Sequence, residues 1–201
     1  MSATAHGALL VTGASRTARC VADYWTLTKP EVNFLIAIAT FTGFYLGCPA
    51  QPYAFPFVLL LHALLGTLLV ASGAGALNQF VERHLDAQMR RTARRPLPQG
   101  RIEPCAALRF GVLLFLAGCA YLALAVNLLA CFLAGLTLLT YLFAYTPLKR
   151  KTPLCMLVGA FPGAVPPLIG WAAASSRLNV EAWVLFAMML FWQFPHFMAI
   201  A

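Results

Sequence analysis

The chain has 201 residues, of which 61% are hydrophobic and only 10% are charged, and its mean hydropathy is +0.79. A soluble domain carries about a quarter charged residues, so we expect lipid rather than one soluble core to solvate this apolar surface. The formal charge of +8 falls almost wholly into three clusters of lysine and arginine, which indicates membrane topology and no nucleic-acid partner.

Residues 1–22 are mostly small and polar and free of acids, and they are predicted to form a flexible N-terminal tail. Residues 23–201 are predicted to form one transmembrane domain, because each apolar stretch in it approaches the length of about 20 residues that a spanning helix needs. The stretches cover approximately residues 32–46, 55–77, 106–126, 128–145, 154–174 and 182–201. The predicted fold class is all-α, a polytopic bundle with six spans.

Basic residues mark one face of this predicted bundle. They precede the first span, surround the loop between the second and third spans, and lie between the fourth and fifth, whereas the opposite connections contain only Arg177. The positive-inside rule then predicts that the N-terminus and both basic loops are cytoplasmic. The predicted location is a bacterial inner membrane or, as the alternative, the mitochondrial inner membrane.

Three oxygen-bearing residues, Asn78, Glu82 and Asp86, follow the second apolar stretch at intervals of four. If the helix continues through them, they share one face and line a stripe roughly 12 Å long. Oxygen ligands of this kind suit Mg²⁺, whose remaining ligands are water and substrate phosphates. Four arginines follow at residues 90, 91, 94 and 95, and arginine favours phosphate. The alternative is a solvated loop in which the two acids only pair with these arginines.

The loop after the fourth apolar stretch contains Tyr145, Lys149, Arg150 and Lys151. It is predicted to lie on the same side of the membrane as the acidic stripe. A diphosphate needs a metal on some of its oxygens and lysine or arginine on the others, so the two segments together predict a diphosphate site. Taken alone, the loop fits a topology determinant equally well.

These residues carry a family resemblance. The pattern Asn78-x-x-x-Glu82-x-x-x-Asp86, followed by Arg91-Thr92-x-x-Arg95-Pro96-Leu97-Pro98, resembles the first acidic motif of the UbiA-type intramembrane prenyltransferases. Further similar segments are Asp23 to Pro30, Tyr145 to Arg150, Gly159 to Trp171 and Trp192 to Phe197. Within the superfamily, these segments are most similar to the branch that farnesylates protohaem IX.

The resemblance implies an enzyme that transfers a farnesyl group from farnesyl diphosphate to a vinyl group of haem B, which is thereby converted to haem O. It implies Mg²⁺ as the cofactor, held with the diphosphate by Asn78, Glu82 and Asp86. Lys149 would act with them in catalysis. The substrate-binding residues that it implies are Arg91, Arg95, Tyr145, Arg150 and His196. Haem B is a substrate, the bilayer is the surrounding medium, and membrane proteins of haem biosynthesis or oxidase assembly are candidate partners.

Two departures from the family pattern affect these expectations. Glu82 stands where the family usually has Asp, which moves the carboxylate by one methylene. The resemblance also implies about nine helices and a second acidic motif beyond the sixth, whereas this chain ends at Ala201 inside a predicted helix. The chain is therefore expected to be a truncated product or a fragment, with half of the metal site and doubtful activity alone.

His196, beside Pro195 in the last apolar stretch, could approach haem iron or a propionate, or could be a structural histidine at a proline kink. Two alternative functions remain open. One is a prenyltransferase acting on an aromatic or quinone precursor. The other is a non-catalytic transporter or scaffold, which would need ionisable residues deep inside the helices. Apart from His62 and His196 the apolar stretches contain almost none.

Overall fold

The computed structural model describes residues 17–48, 55–149, 151–152 and 155–200, with side chains up to Pro195. The helices are α1 (17–27), α2 (Pro30–Gly47), α3 (Phe57–Asp86), α4 (Pro104–Ala125), α5 (Leu128–Leu139), α6 (Thr146–Leu148), α7 (Cys155–Ala164), α8 (Pro166–Ser175) and α9 (Val180–Ile200). A π-helical segment, Thr140–Tyr145, joins α5 to α6. No strand occurs within these ranges, which confirms the predicted all-α class.

Four helical segments of the described chain are long and apolar enough to cross a membrane: Phe57–Asp86, Pro104–Ala125, Leu128–Leu148 and Cys155–Ser175. The two other predicted stretches correspond to α2 and α9, and Val180–Pro195 is a shorter apolar helix. Large apolar side chains such as Phe57, Leu113 and Leu124 point outward and are mostly exposed. This surface fits a bundle solvated by lipid.

The helix boundaries differ from the predicted ones at two places. The α3 helix continues to Asp86 rather than ending near residue 77, because polarity marks the edge of the apolar stretch and not the end of the helix. The predicted fifth helix is broken at Val165 into α7 and α8. Pro166 has no N–H and its ring clashes with the carbonyl four residues earlier, so it ends α7 and opens α8.

The tail predicted for residues 1–22 lies mostly outside the described residues. Residues 17–22 are helical and belong to α1. The division of the chain into a tail and a domain at residue 23 remains a prediction.

Close helix contacts shape the interior of the bundle. The α2 and α8 helices touch through Gly43 and Gly170, where an added Cβ would overlap the carbonyl oxygens of Pro167 and Thr40, respectively. Small residues permit such backbone approach between membrane helices. The α3 helix packs along α4 on its other side. Between these contacts, α2, α3, α5, α7, α8 and α9 together surround a central cavity.

Candidate active site

The oxygen-bearing stripe lies on the last three turns of α3. Asn78, Glu82 and Asp86 are 2%, 7% and 1% exposed, although they are among the most polar residues of this helix. Because both acids belong to a regular helix and are buried, they do not form the solvated loop of the alternative interpretation. Buried carboxylates are costly unless they are paired, so their partners determine what the stripe can do.

Each member of the stripe contacts a different cation. Lys29 Nζ donates to Asn78 Oδ1 at 2.6 Å, and Lys149 Nζ donates to Glu82 Oε1 at 3.4 Å. Arg95 Nη1 donates to Asp86 Oδ2 at 2.7 Å. The cations come from the α1–α2 corner, the turn after α6 and the α3–α4 loop. Three distant segments therefore converge on one helix end, as the predicted diphosphate site requires.

Arg95 is positioned by a loop that folds back onto the end of α3. Thr92 Oγ1 donates to Asp86 O at 2.9 Å, and Arg95 N donates to Thr92 O at 3.0 Å. Leu97 and Ile102 are buried in a small apolar cluster beneath this loop. Hydrogen bonds and apolar packing together hold the loop in place. The Arg95 guanidinium therefore lies against Asp86.

Lys149 follows a helical segment of unusual winding. Pro147 cannot donate to a carbonyl of the preceding turn, and Thr146 Oγ1 instead donates to Tyr141 O at 2.8 Å. The π-helical turns place the rings of Tyr141 and Tyr145 in a stack, with centroids 5.5 Å apart and planes 20° apart. Both rings line the cavity. Such π-helical turns occur frequently at functional sites.

The central cavity has a volume of about 640 Å³, and Lys29, which donates to Asn78 of the stripe, is part of its lining. The three stripe residues themselves do not line it. The α3 helix contributes Thr67, Val70, Ala71, Ala74 and Gly75 to its lining, which continue the helix face of Asn78 toward the other side of the bundle. The rest of the lining is mostly apolar, and Lys29 and Tyr145 stand at the charged end. A charged end therefore adjoins an apolar compartment.

The remaining predicted site residues are not all brought together. Arg91 is exposed on the α3–α4 loop. Arg150 lies outside the described residues, and so does the side chain of His196, although its backbone belongs to α9. Trp192 and Gln193, one turn earlier in α9, line the cavity. His84 is exposed.

Sequence reasoning missed Lys29, which it counted only as a topology determinant. Burial is the main cause that lowers the pKa of this lysine to about 8, and the positive charge of Arg95 is the second. One sequence feature could have drawn attention to Lys29. It lies directly before Pro30, at the start of the first apolar helix, where a charged side chain is close to the bundle.

The donor set of the stripe fits a hard divalent cation. It offers one amide and two carboxylate oxygens on one face of α3. The described residues contain no group of three or more His, Cys, Asp or Glu that could hold a metal ion. The helix can therefore supply only part of an octahedral ligand set, and phosphate and water would supply the rest, as is usual for Mg²⁺.

The fold and this site define a class of protein: a polytopic helical membrane protein in which buried carboxylates and their cationic partners lie beside an apolar cavity. Residues 36–201 match the UbiA prenyltransferase family, and the chain belongs to that family. Members of this family are generally dependent on a divalent metal.

Two relatives illustrate the similarity. The chain is 50% identical to the protoheme IX farnesyltransferase of Solibacter usitatus, with 89% of this chain and 63% of that protein covered. It is 42% identical to the mitochondrial protoheme IX farnesyltransferase of Arabidopsis thaliana, over 92% of this chain and 42% of that protein. The chain therefore spans less than two thirds of the length of these relatives.

A solved structure that concerns digeranylgeranylglyceryl phosphate synthase has the same fold. Its TM-score is 0.72 at 19% sequence identity, with 85% of this chain and 58% of that chain covered. At this identity the likeness supports the fold alone.

Proposed function

We propose that the protein transfers a farnesyl group from farnesyl diphosphate to a vinyl group of haem B, with haem O as the product. The observation that carries the proposal is the convergence of Lys29, Lys149 and Arg95 on the stripe, since Lys29 also lines the adjoining apolar cavity. An amphiphile with a diphosphate head and an apolar tail fits these two compartments. The relatives named protoheme IX farnesyltransferase support the choice of acceptor.

In the proposed reaction the bond between C1 of the farnesyl chain and the diphosphate oxygen breaks, and the diphosphate keeps the electron pair. The growing negative charge must be matched where it develops. Lys149 and Arg95 would turn from their carboxylate partners to the phosphate oxygens. Asn78, Glu82 and Asp86 would hold Mg²⁺, which supplies Lewis-acid stabilisation of the leaving diphosphate when it is bound.

The cavity would hold the farnesyl chain and protect the allylic cation from water, since its lining is mostly apolar. Tyr141 and Tyr145 present aromatic rings near its charged end, and such rings attract cations. The terminal carbon of a haem vinyl group then bonds to C1. The cation left next to the macrocycle takes a hydroxide from water, whose proton is released, and a hydroxyethylfarnesyl side chain results.

The proposed location is the inner membrane of a bacterium, since the two relatives described above are a bacterial and a mitochondrial protein and the chain contains several helices able to cross a membrane. The basic loops are proposed to face the cytoplasm. Membrane proteins of haem biosynthesis or oxidase assembly remain candidate partners.

The acceptor assignment is tested with membranes that contain the full chain. They are incubated with farnesyl diphosphate, Mg²⁺ and either haem B or 4-hydroxybenzoate, and products are identified by mass spectrometry. We expect haem O from haem B and no prenylated benzoate. Product from 4-hydroxybenzoate alone would contradict the acceptor, and absence of product with both would contradict prenyl transfer by this chain.

A further inference from the structure

The backbone of Lys29 adopts a conformation that its residue type rarely takes. Its φ of 54° and ψ of 64° lie in the left-handed region, and among the described non-glycine residues only Ser176 shares a positive φ. A residue with a Cβ is disfavoured there, and a residue before proline is also biased toward extended backbone. Because strained residues persist only where their surroundings over-determine them, the contacts around Lys29 require an explanation.

Two side-chain amides hold the carbonyl groups that precede Lys29. Gln79, which is 2% exposed, donates through Nε2 to Thr26 O at 3.1 Å and to Leu27 O at 3.2 Å. Asn33 Nδ2 donates to Thr28 O at 3.0 Å. Three successive carbonyls at the end of α1 are therefore fixed by side chains of α2 and α3.

The absence of a side chain at Gly75 allows the same corner to lie against α3. A Cβ at this position would lie 3.2 Å from the carbonyl oxygens of both Leu27 and Thr28. The corner is thus held by hydrogen bonds and by close backbone contact. As a result, the Lys29 side chain projects onto Asn78 and lines the charged end of the cavity.

Lys29 differs from the two other cations of the site in what it contacts. Lys149 and Arg95 each form an ion pair with a carboxylate, whereas Lys29 is hydrogen-bonded to a neutral amide and its ammonium lies 6.0 Å from the centroid of the Tyr141 ring. Among the residues that the structure describes, no ion pair includes Lys29. The charges of Glu82 and Asp86 act on this partly buried ammonium, but neither carboxylate is in direct contact with it. A cation that is not already in a direct ion pair favours an incoming anion.

We propose that Lys29 binds the diphosphate of the prenyl substrate and that Gln79 and Asn33 are positioning residues which hold it in its strained conformation. This inference rests on the proposed function, since it assumes a prenyl diphosphate in the site. Lys149 and Arg95 must leave their carboxylate partners to bind phosphate, but Lys29 does not. It is therefore the preorganised cation of the three.

The proposal is tested by calorimetric binding of a non-hydrolysable farnesyl thiolodiphosphate, with Mg²⁺, to the detergent-solubilised full chain. Lys29→Met and Gln79→Met are compared singly and together. We expect each single variant to bind about tenfold or more weakly, because a hydrogen bond to a charged group is lost or misplaced. The double variant should bind within about threefold of Lys29→Met, because both substitutions remove the same contact.

Thr40→Val is the matched control, because Thr40 is fully buried, has no partner for its hydroxyl oxygen and does not line the cavity. Its affinity should stay within about twofold of the unmodified chain, which separates positioning from general disturbance of the bundle. If Gln79→Met does not fold, as judged by size exclusion and thermal unfolding, Asn33→Leu takes its place in the cycle.

Three results would overturn the proposal. Unchanged affinity in Lys29→Met would remove the lysine from the diphosphate site, while leaving the proposed function intact. Losses that multiply in the double variant would show that Gln79 does not act through Lys29. Failure of the unmodified chain to bind the thiolodiphosphate would overturn both this inference and the proposed function.

Discussion

The α3 helix contains two polar regions, and they differ in what their polar groups face. At its basic end, Asn78, Glu82 and Asp86 meet cations from three other segments beside the cavity. Near its opposite end, His62 Nδ1 lies 2.6 Å from Tyr121 Oη on α4. His62 is sixteen residues before Asn78, which corresponds to roughly 24 Å along the helix.

The difference separates a candidate site from a structural contact. His62 and Tyr121 are hydrogen-bonded to each other across the α3–α4 interface, and neither residue lines the central cavity. The stripe instead combines buried carboxylates with less buried cations, beside an apolar compartment that Lys29 lines. This combination fits the general expectation that ionisable residues at membrane depth are functional.

The largest effect is expected from Asp86→Ala, which removes a proposed oxygen ligand of the metal and the partner of Arg95. We expect farnesyl transfer by membranes that contain the full chain to fall roughly a thousandfold, while expression and insertion remain unchanged. Chelation of divalent metal should abolish the activity of the unmodified protein to a similar extent. Haem O formation measured by mass spectrometry checks both results.

Asp23→Ala is the matched control for this prediction. Asp23 also pairs with an arginine, Arg101, at 3.1 Å, but this guanidinium is substantially exposed and Arg101 is not the partner of a stripe residue. Its loss should leave turnover within about twofold of the unmodified protein. Comparable activity in Asp86→Ala would remove the metal role from the stripe.

A smaller effect is expected from Lys149→Ala. Its ammonium contacts Glu82 at 3.4 Å, and its loss should weaken the affinity for farnesyl diphosphate about tenfold. Lys151→Ala removes a charge of the same sign two residues later from an exposed position and should change the affinity less than twofold. Equal losses in the two variants would show that only the general charge of the loop matters.

The sequence was sufficient for the parts of this comparison that depend on periodicity. The spacing of Asn78, Glu82 and Asp86 requires a shared face once the helix continues, and apolar length is enough to predict the helices of the bundle. It could not reveal Lys29, because its role depends on a left-handed backbone held by Gln79 from another helix. Contacts between distant segments leave no local pattern.

Sequence reasoning also missed the helix break at Val165, although the residues that cause it can be read in the sequence. Pro166 and Pro167 follow a run of apolar residues, and hydropathy treats the whole run as one helix. The steric rule for proline predicts the break directly. Hydropathy therefore located the fifth stretch but did not show that it forms two helices. The roles proposed for Arg150 and His196 remain predictions.

The smallest effect is expected from His62→Phe, which tests the other side of the comparison. The substitution keeps an aromatic ring but removes the hydrogen-bonding partner of Tyr121, so the free energy of unfolding in mixed micelles should fall by about 1 kcal/mol. Tyr121→Phe should produce a similar loss, and the double variant should lose little more, because one hydrogen bond accounts for both. Affinity for farnesyl diphosphate should remain within about twofold throughout. A tenfold loss of affinity with unchanged stability would mean that the pair acts on the substrate, and the distinction between the two ends of α3 would then be wrong.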